Sequence, residues 1–142
     1  MKIGFIGVGD MAGAILRGFV RGNPNMANDI LITGRDPEKY AKIAKRYNVK
    51  RENDVDSLTS ESNIILLGVV PSAMGDVLKK MKPSMSENKI VITMAAGIKL
   101  DFYTKHLGAH KIIHIMPNTP VGVNEGRFLL RQMNMCLTRT RW

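Results

Sequence analysis

The sequence of 142 residues lacks three features that would each assign it to another class of protein. It has no run of about 18 apolar residues, so we predict no membrane-spanning helix and no membrane partner. Its single cysteine, Cys136, cannot form an internal disulfide. This indicates a reducing compartment, and we expect a cytoplasmic location. No Gly-Lys-Ser/Thr sequence of the P-loop type occurs, which excludes that route to phosphate chemistry.

Acidic residues are also few: 12, against 21 lysines and arginines, for a net charge of +9. Such a charge is typical of nucleic-acid-binding proteins. However, residues 127–142 contain four arginines and no acid, and the other basic residues lie beside acids in helix-like stretches. We therefore interpret the charge as a solvated basic surface and expect no nucleic-acid partner.

The composition, 44% hydrophobic and 23% charged, is that of one globular domain. Short apolar runs alternate with stretches of helical periodicity, which predicts an α/β domain with a mostly parallel sheet. The predicted strands are residues 2–8, 29–33, 49–52, 63–70, 89–94 and 111–116. The predicted helices are residues 11–20, 37–47, 56–61, 72–81 and 100–107.

The sharpest motif is a Gly-x-Gly-x-x-Ala turn at residues 7–12, directly between the first strand and the first helix. Gly7 permits the tight turn, Gly9 allows a pyrophosphate to approach the backbone, and Ala12 allows the helix to pack near the strand. The helix N-terminus would then present free N–H groups to phosphates. The motif predicts a Rossmann-type, doubly wound domain that binds a dinucleotide; the alternative is a glycine turn needed only for packing.

The end of the second strand bears on the choice of cofactor. An NAD site usually has an acid there for the ribose hydroxyls, but this chain has Thr33 and Gly34, followed by Arg35. A guanidinium can pair with the 2′-phosphate of NADP. Asp36 precedes Pro37 and suits helix capping better than ribose binding. The pattern favours NADP, with NADPH preferred over NADH.

Small residues and prolines follow three later strands, at Val69-Val70-Pro71-Ser72, Ala95-Ala96-Gly97 and Met116-Pro117-Asn118-Thr119-Pro120. The carboxyl ends of parallel strands share one edge of a sheet, where ligands bind in open α/β folds. Together these segments suit the close approach of a flat nicotinamide ring. Taken singly, each of the three segments fits an ordinary turn equally well.

These residues resemble the N-terminal half of the pyrroline-5-carboxylate reductase family over residues 1–126. The resemblance rests on Ile3-Gly4-Phe5-Ile6-Gly7-Val8-Gly9-Asp10-Met11-Ala12, on Arg35 in Gly-Arg-Asp-Pro-Glu-Lys, and on Ile64–Pro71. It continues through Ile90–Ile98 and His114–Gly126. It implies an oxidoreductase of proline biosynthesis, in which NAD(P)H reduces the C=N bond of 1-pyrroline-5-carboxylate to give L-proline.

By that resemblance this chain is the cofactor-binding half, and it implies a set of cofactor-binding residues but no identifiable catalytic residue. The set is Ile6, Gly7, Val8, Gly9, Asp10, Met11, Arg35, Val69, Val70, Pro71, Ala95, Ala96, Gly97 and Asn118. Three positions depart from the family's usual residues. Asp10 stands in place of Asn or Gln and could cap the first helix, Val70 stands in place of Lys, and His114 stands in place of Arg.

Residues 127–142 bear no likeness to the family, which continues into a helical dimerisation domain with substrate-binding hydroxyl residues. We therefore expect a Rossmann domain at 1–126 and an atypical basic tail at 127–142. A truncated or frame-shifted product would explain this, and an isolated domain is the other option. The family is homo-oligomeric, and this chain is expected to expose an apolar face and to self-associate through it.

Two alternative functions stay open. One is a catalytically inactive NADP-binding remnant; the other is a different NADP-dependent reductase with a similar first domain, such as an F420-dependent NADP reductase or a 3-hydroxyacid dehydrogenase. The Met-Pro-Asn-Thr-Pro run argues against the latter. His106, His110 and His114 are spaced four apart, but Gly108 interrupts that pattern, so no metal site is predicted. Cys136 has no identifiable base and is not expected to be a nucleophile.

Overall fold

The computed structural model describes residues 1–118, Gly122 and the strand at 128–133. The strands are β1 (Ile3–Ile6), β2 (Ile30–Thr33), β3 (Lys50–Arg51), β4 (Ile64–Leu67), β5 (Ile90–Thr93), β6 (Lys111–Pro117) and β7 (Phe128–Met133). The helices are α1 (Asp10–Gly22), α2 (Pro37–Tyr47), α3 (Val55–Glu61), α4 (Met74–Met81) and α5 (Leu100–Leu107). Short 3₁₀ helices occupy Pro24–Asp29, Pro71–Ala73 and Lys82–Ser84. No helix in this part of the chain is long and apolar enough to cross a membrane.

The strands form one sheet in the order β3-β2-β1-β4-β5-β6-β7. The first six are parallel, with Ile6 level with Thr33 on one side and with Leu67 on the other. The chain winds outwards from β1 in one direction and then from β4 in the other. This confirms the predicted Rossmann-type, doubly wound fold, and it places the topological switch point between β1 and β4.

Strand β7 is the one described strand that sequence analysis did not predict. It pairs antiparallel with β6, and Phe128 is level with Pro117. Its residues lie inside segment 127–142, which the sequence analysis interprets as a basic tail. The first three of them, Phe128-Leu129-Leu130, are nevertheless apolar. Strand β6 would otherwise leave a row of N–H and C=O groups at the sheet edge, and β7 pairs with them. The domain boundary at 126 stays a prediction.

The predicted start of α2 is confirmed in detail. The Asp36 carboxylate accepts the Lys39 N–H at 3.0 Å, and Pro37 occupies the first turn. The prediction that Asp10 caps α1 is wrong. The N-cap is Gly9, and Asp10 is already in the first helical turn. A residue inside the first turn is no longer in the extended backbone conformation that lets an N-cap side chain reach back to the helix.

The hydrophobic core lies on both faces of the sheet. On one face, Ala12, Ile15 and Leu16 of α1 and Tyr40 of α2 pack in a cluster with Phe5 of β1. On the other face, α3, α4 and α5 pack against alternate residues of β1, β2, β4, β5 and β6 in a second cluster. The central strands therefore have helices on both sides, as a parallel sheet requires.

Candidate functional site

A cleft of about 710 Å³ opens at the carboxyl ends of β1, β2 and β4. This is the switch-point edge, where open α/β sheets bind ligands, and the volume is typical of a small-molecule site. Seven of the fourteen predicted site residues line it: Ile6, Gly7, Val8, Gly9, Arg35, Val69 and Val70.

The glycine turn forms the floor of this cleft. Gly7 has a φ of +86°, and a Cβ there would lie 2.8 Å from the Gly68 carbonyl carbon. Its N–H donates to the Thr33 carbonyl at 3.0 Å, and the Gly68 N–H donates to the Ile6 carbonyl at 2.8 Å. A larger residue at Gly7 would therefore be strained and would separate β1 from β4. Gly68 has the same structural importance and was missed, because it was interpreted as strand interior.

The turn leaves the start of α1 accessible. At Gly9, the nearest atom to an added Cβ is the Gly68 carbonyl oxygen, 3.8 Å away, so the backbone there is open to a ligand. No side chain caps α1, whose N-cap is Gly9. The first N–H groups of a 13-residue helix, with their positive dipole end, are thus available for an anion. This arrangement fits a pyrophosphate.

The turn between β2 and α2, with the first turn of α2, brings two of the three cations that line the cleft. Arg35 and Lys39 both line it, and the Asp36 carboxylate between them is engaged in capping α2. Two cations beside a strand end that lacks an uncommitted acid fit a phosphate better than a ribose hydroxyl. Lys39 was missed, although it lies in the first turn of α2, directly after the segment that contains Arg35.

Tyr40 is a buried polar residue of this region that sequence analysis also missed. Only 7% of its surface is exposed. Its hydroxyl oxygen accepts the Val8 N–H at 2.6 Å, and a Cβ at Gly34 would overlap its ring. Burial raises the pKa of the phenol above its ordinary value, and the Val8 hydrogen bond opposes that shift. No local sequence signal distinguishes Tyr40 from an ordinary core aromatic.

The opposite wall comes from the residues that follow β3 and β4. Val70 is 60% exposed, and Val77 of α4 lines the same wall. Asp54 caps α3 by accepting the Ser57 N–H at 2.8 Å, and this bond lowers the pKa of its carboxyl. The remaining lining residues outside the predicted set are Thr33, Gly34, Asp36, Asn53, Val55, Asp56, Gly68, Ala73, Asp76, Lys80 and Pro83.

The other seven predicted residues do not line the cleft. Asp10 and Met11 lie in the first turn of α1, and Pro71 starts the 3₁₀ helix after β4. The last four follow β5 and β6 at the same edge of the sheet, since Leu67, Thr93 and His114 are level; they are Ala95, Ala96, Gly97 and Asn118.

The predicted turn after β5 is held by a buried tyrosine of its own. The Thr93 hydroxyl lies 2.6 Å from the Tyr103 hydroxyl and accepts the Ala95 N–H at 3.3 Å. Thr93 and Tyr103 are fully buried, and burial raises the pKa of the Tyr103 phenol. Ala95 is therefore fixed beside the end of β5.

The spaced histidines do not come together. His106 lies on α5 with its Nδ1 2.8 Å from the Phe102 carbonyl oxygen, whereas His114 lies in β6. Within the described ranges, no group of three or more His, Cys, Asp or Glu residues could hold a metal ion. Cys136 lies outside the described residues, as does the rest of the tail beyond β7.

A match to a known protein family defines the class of protein to which this chain belongs. The family described as NADP oxidoreductase, coenzyme F420-dependent, matches residues 2–97, from β1 through the turn after β5. The chain belongs to this family. The matched range ends before the Met-Pro-Asn-Thr-Pro run.

More particular similarity is to pyrroline-5-carboxylate reductases. The Escherichia coli (strain K12) enzyme is 34% identical over 126 residues, which are 88% of this chain and 47% of the relative. The Plasmodium falciparum pyrroline carboxylate reductase, solved with NADP bound, has a TM-score of 0.83 at 27% identity over 97% of this chain and 50% of that one. The pyrroline-5-carboxylate reductase of Coxiella burnetii has a TM-score of 0.85 at 28% identity, over 96% of this chain and 51% of that one. The chain therefore spans about half the length of the relatives it matches.

Proposed function

We propose that this chain is the dinucleotide-binding part of an NADPH-dependent pyrroline-5-carboxylate reductase, an oxidoreductase of proline biosynthesis that forms L-proline. The observation that carries the proposal is the glycine turn, with its open Gly9 backbone and uncapped α1 start, on the floor of a cleft that also contains Arg35. The similarity to pyrroline-5-carboxylate reductases supports the choice of substrate. The lone cysteine supports a cytoplasmic location.

Residues of the cleft and the seven predicted residues outside it would bind the cofactor together. The backbone of Gly7, Val8 and Gly9, with the first turn of α1 at Asp10 and Met11, holds the pyrophosphate. Arg35 pairs with the 2′-phosphate, and Ile6, Val69 and Val70 contact the dinucleotide from the strand ends. A bound nicotinamide would supply the hydride for the C=N carbon. The residues that would border it lie outside the cleft lining and are Pro71, Ala95, Ala96, Gly97 and Asn118.

The first test is the affinity for NADPH and NADH, measured by calorimetry on the purified chain. Wild-type protein should bind NADPH more tightly. Arg35→Met should reduce NADPH affinity by about 10- to 150-fold, because it removes a charge-assisted contact to a phosphate worth about 1.5–3 kcal/mol. NADH, which lacks that phosphate, should lose little.

Arg46→Met is the matched control, because Arg46 lies near the other end of α2, with its guanidinium carbon 5.4 Å from the Tyr47 ring centre. It carries the same charge outside the cleft. If the Arg46 variant weakens NADPH binding as much as the Arg35 variant does, the 2′-phosphate assignment is wrong. If wild-type protein binds neither nucleotide, the whole proposal fails.

The competing function is a remnant that binds NADP and reduces nothing. Oxidation of NADPH by the purified chain, followed at 340 nm in the presence of 1-pyrroline-5-carboxylate, would exclude the remnant. Self-association of the chain is a separate part of the proposal, supported by the exposed apolar residues Phe19 and Met116. Sedimentation should show concentration-dependent dimers, and a monomer at every concentration would exclude this association.

A further inference from the structure

The turn that carries Arg35 and the glycine turn belong to different parts of the chain, yet both must face one ligand. One direct backbone bond connects them, from Gly7 N–H to the Thr33 carbonyl. The second connection is a side chain. Tyr40, on α2, reaches back past Gly34 and accepts the Val8 N–H at 2.6 Å.

The contact between Tyr40 and Val8 depends on close packing around the Tyr40 ring. The Tyr40 ring occupies the space that a side chain at residue 34 would need, so Gly34 and Tyr40 fit each other as a pair. The hydroxyl is buried, and Val8 is itself only 6% exposed. Water therefore does not compete for the Val8 N–H, and the hydroxyl is the acceptor that keeps this buried donor satisfied.

We propose that Tyr40 is a positioning residue for the dinucleotide: its hydroxyl fixes the middle of the glycine turn to α2, so that the turn and Arg35 keep one spacing. The inference rests on the proposed function. Phosphate binding by backbone groups depends on their being held in place before the ligand arrives, because ordering them afterwards reduces the affinity. The pyrophosphate is common to NADPH and NADH, so loss of this support weakens both nucleotides alike.

The test is Tyr40→Phe, which keeps the ring beside Gly34 and removes only the hydroxyl. Affinity for NADPH and for NADH should each fall on the order of tenfold, the loss of one buried hydrogen bond, with their ratio unchanged within about twofold. Exchange of the Val8 amide proton, followed by NMR on the full chain, should quicken on the order of tenfold, because its acceptor is gone. Tyr47→Phe, on the same helix but outside the cleft, should change none of these values.

Three results would overturn the inference. Unchanged affinities in Tyr40→Phe would show that the turn needs no support. A loss for NADPH alone would make the hydroxyl a contact of the 2′-phosphate. Rapid Val8 exchange in wild-type protein would show that the bond does not hold the turn, even if the variant does not fold. Wild-type protein that binds neither nucleotide instead overturns the proposed function, a result distinct from all three.

Discussion

Strands β2 and β5 have almost the same sequence, Ile30-Leu31-Ile32-Thr33 and Ile90-Val91-Ile92-Thr93, yet they differ in burial. All four residues of β2 are buried, whereas Ile90 and Ile92 of β5 are half-buried. Ile32 packs in the cluster formed by α1 and α2, and Ile92 contacts only the margin of that cluster. An apolar run therefore predicts a strand, but the neighbours of that strand in the sheet decide how deeply it is buried.

The turns that follow these strands show the same contrast. After β2, Gly34, Arg35 and Lys39 join the glycine turn around one cleft. After β5, the predicted nicotinamide residues lie on the same edge but outside that cleft. The half of the sheet around β1 and β2 thus presents a formed cleft with two cations and an uncapped helix start, while the half around β5 and β6 presents only the positions predicted for a nicotinamide.

The largest expected effect comes from truncating the equivalent isoleucines of the two strands. Ile32→Ala should lower the free energy of unfolding by about 3–4 kcal/mol, because a fully buried side chain leaves a cavity. Ile92→Ala should cost about 1–2 kcal/mol, because solvent already reaches that side chain. Urea unfolding of both variants measures the difference. Equal losses would show that β5 is as deeply packed as β2, contrary to the comparison.

Alanine substitutions at one glycine in each turn test the difference in packing between the two turns. Gly34→Ala should cost about 2–3 kcal/mol, because the new Cβ overlaps the Tyr40 ring. Gly97→Ala should cost about 1 kcal/mol, because its φ of +78° is strained for alanine but no atom lies within 4 Å of the added Cβ. Thermal unfolding monitored by circular dichroism gives both values.

A double variant serves as the control for this pair. In a Tyr40→Ala background, which removes the ring, the further loss from Gly34→Ala should be much smaller than it is alone. An undiminished loss would mean that the backbone at Gly34, and not the ring of Tyr40, excludes the methyl group.

Most of the fold could be predicted because it follows from local patterns. Apolar runs predicted five of the six parallel strands, and the Asp36-Pro37 pair marked the start of α2 correctly. Strand β7 was missed because pairing at a sheet edge depends on a partner distant in sequence, not on a local period. Asp10 was misassigned as a cap because one residue of displacement separates the N-cap from the first turn.

The candidate site could be predicted where backbone chemistry specifies it. Gly7, Gly9 and Arg35 were identified by motif and position, and all three line the cleft. Tyr40 and Gly68 could not be identified, because each matters through tertiary contacts. Tyr40 contacts the Val8 N–H and Gly34, and Gly68 lies against the backbone of Gly7. Such contacts exist only after β1, β2 and β4 lie side by side.

The smallest expected effect is the contribution of the two buried tyrosines to the pH dependence of the free energy of unfolding. Burial raises the pKa of Tyr40 and of Tyr103 above the ordinary 10.0, so each folded phenol keeps its proton where the unfolded chain has lost it. This contribution to stability is complete below pH 10 and is lost as pH rises through the folded pKa. Urea unfolding at a series of pH values should therefore show wild-type stability falling more steeply above pH 10 than that of the Tyr40→Phe, Tyr103→Phe double variant. Each single variant should remove part of this decrease in stability above pH 10. If either variant removes none of it, that tyrosine is open to solvent, and its half of the sheet is more loosely packed than the structure shows.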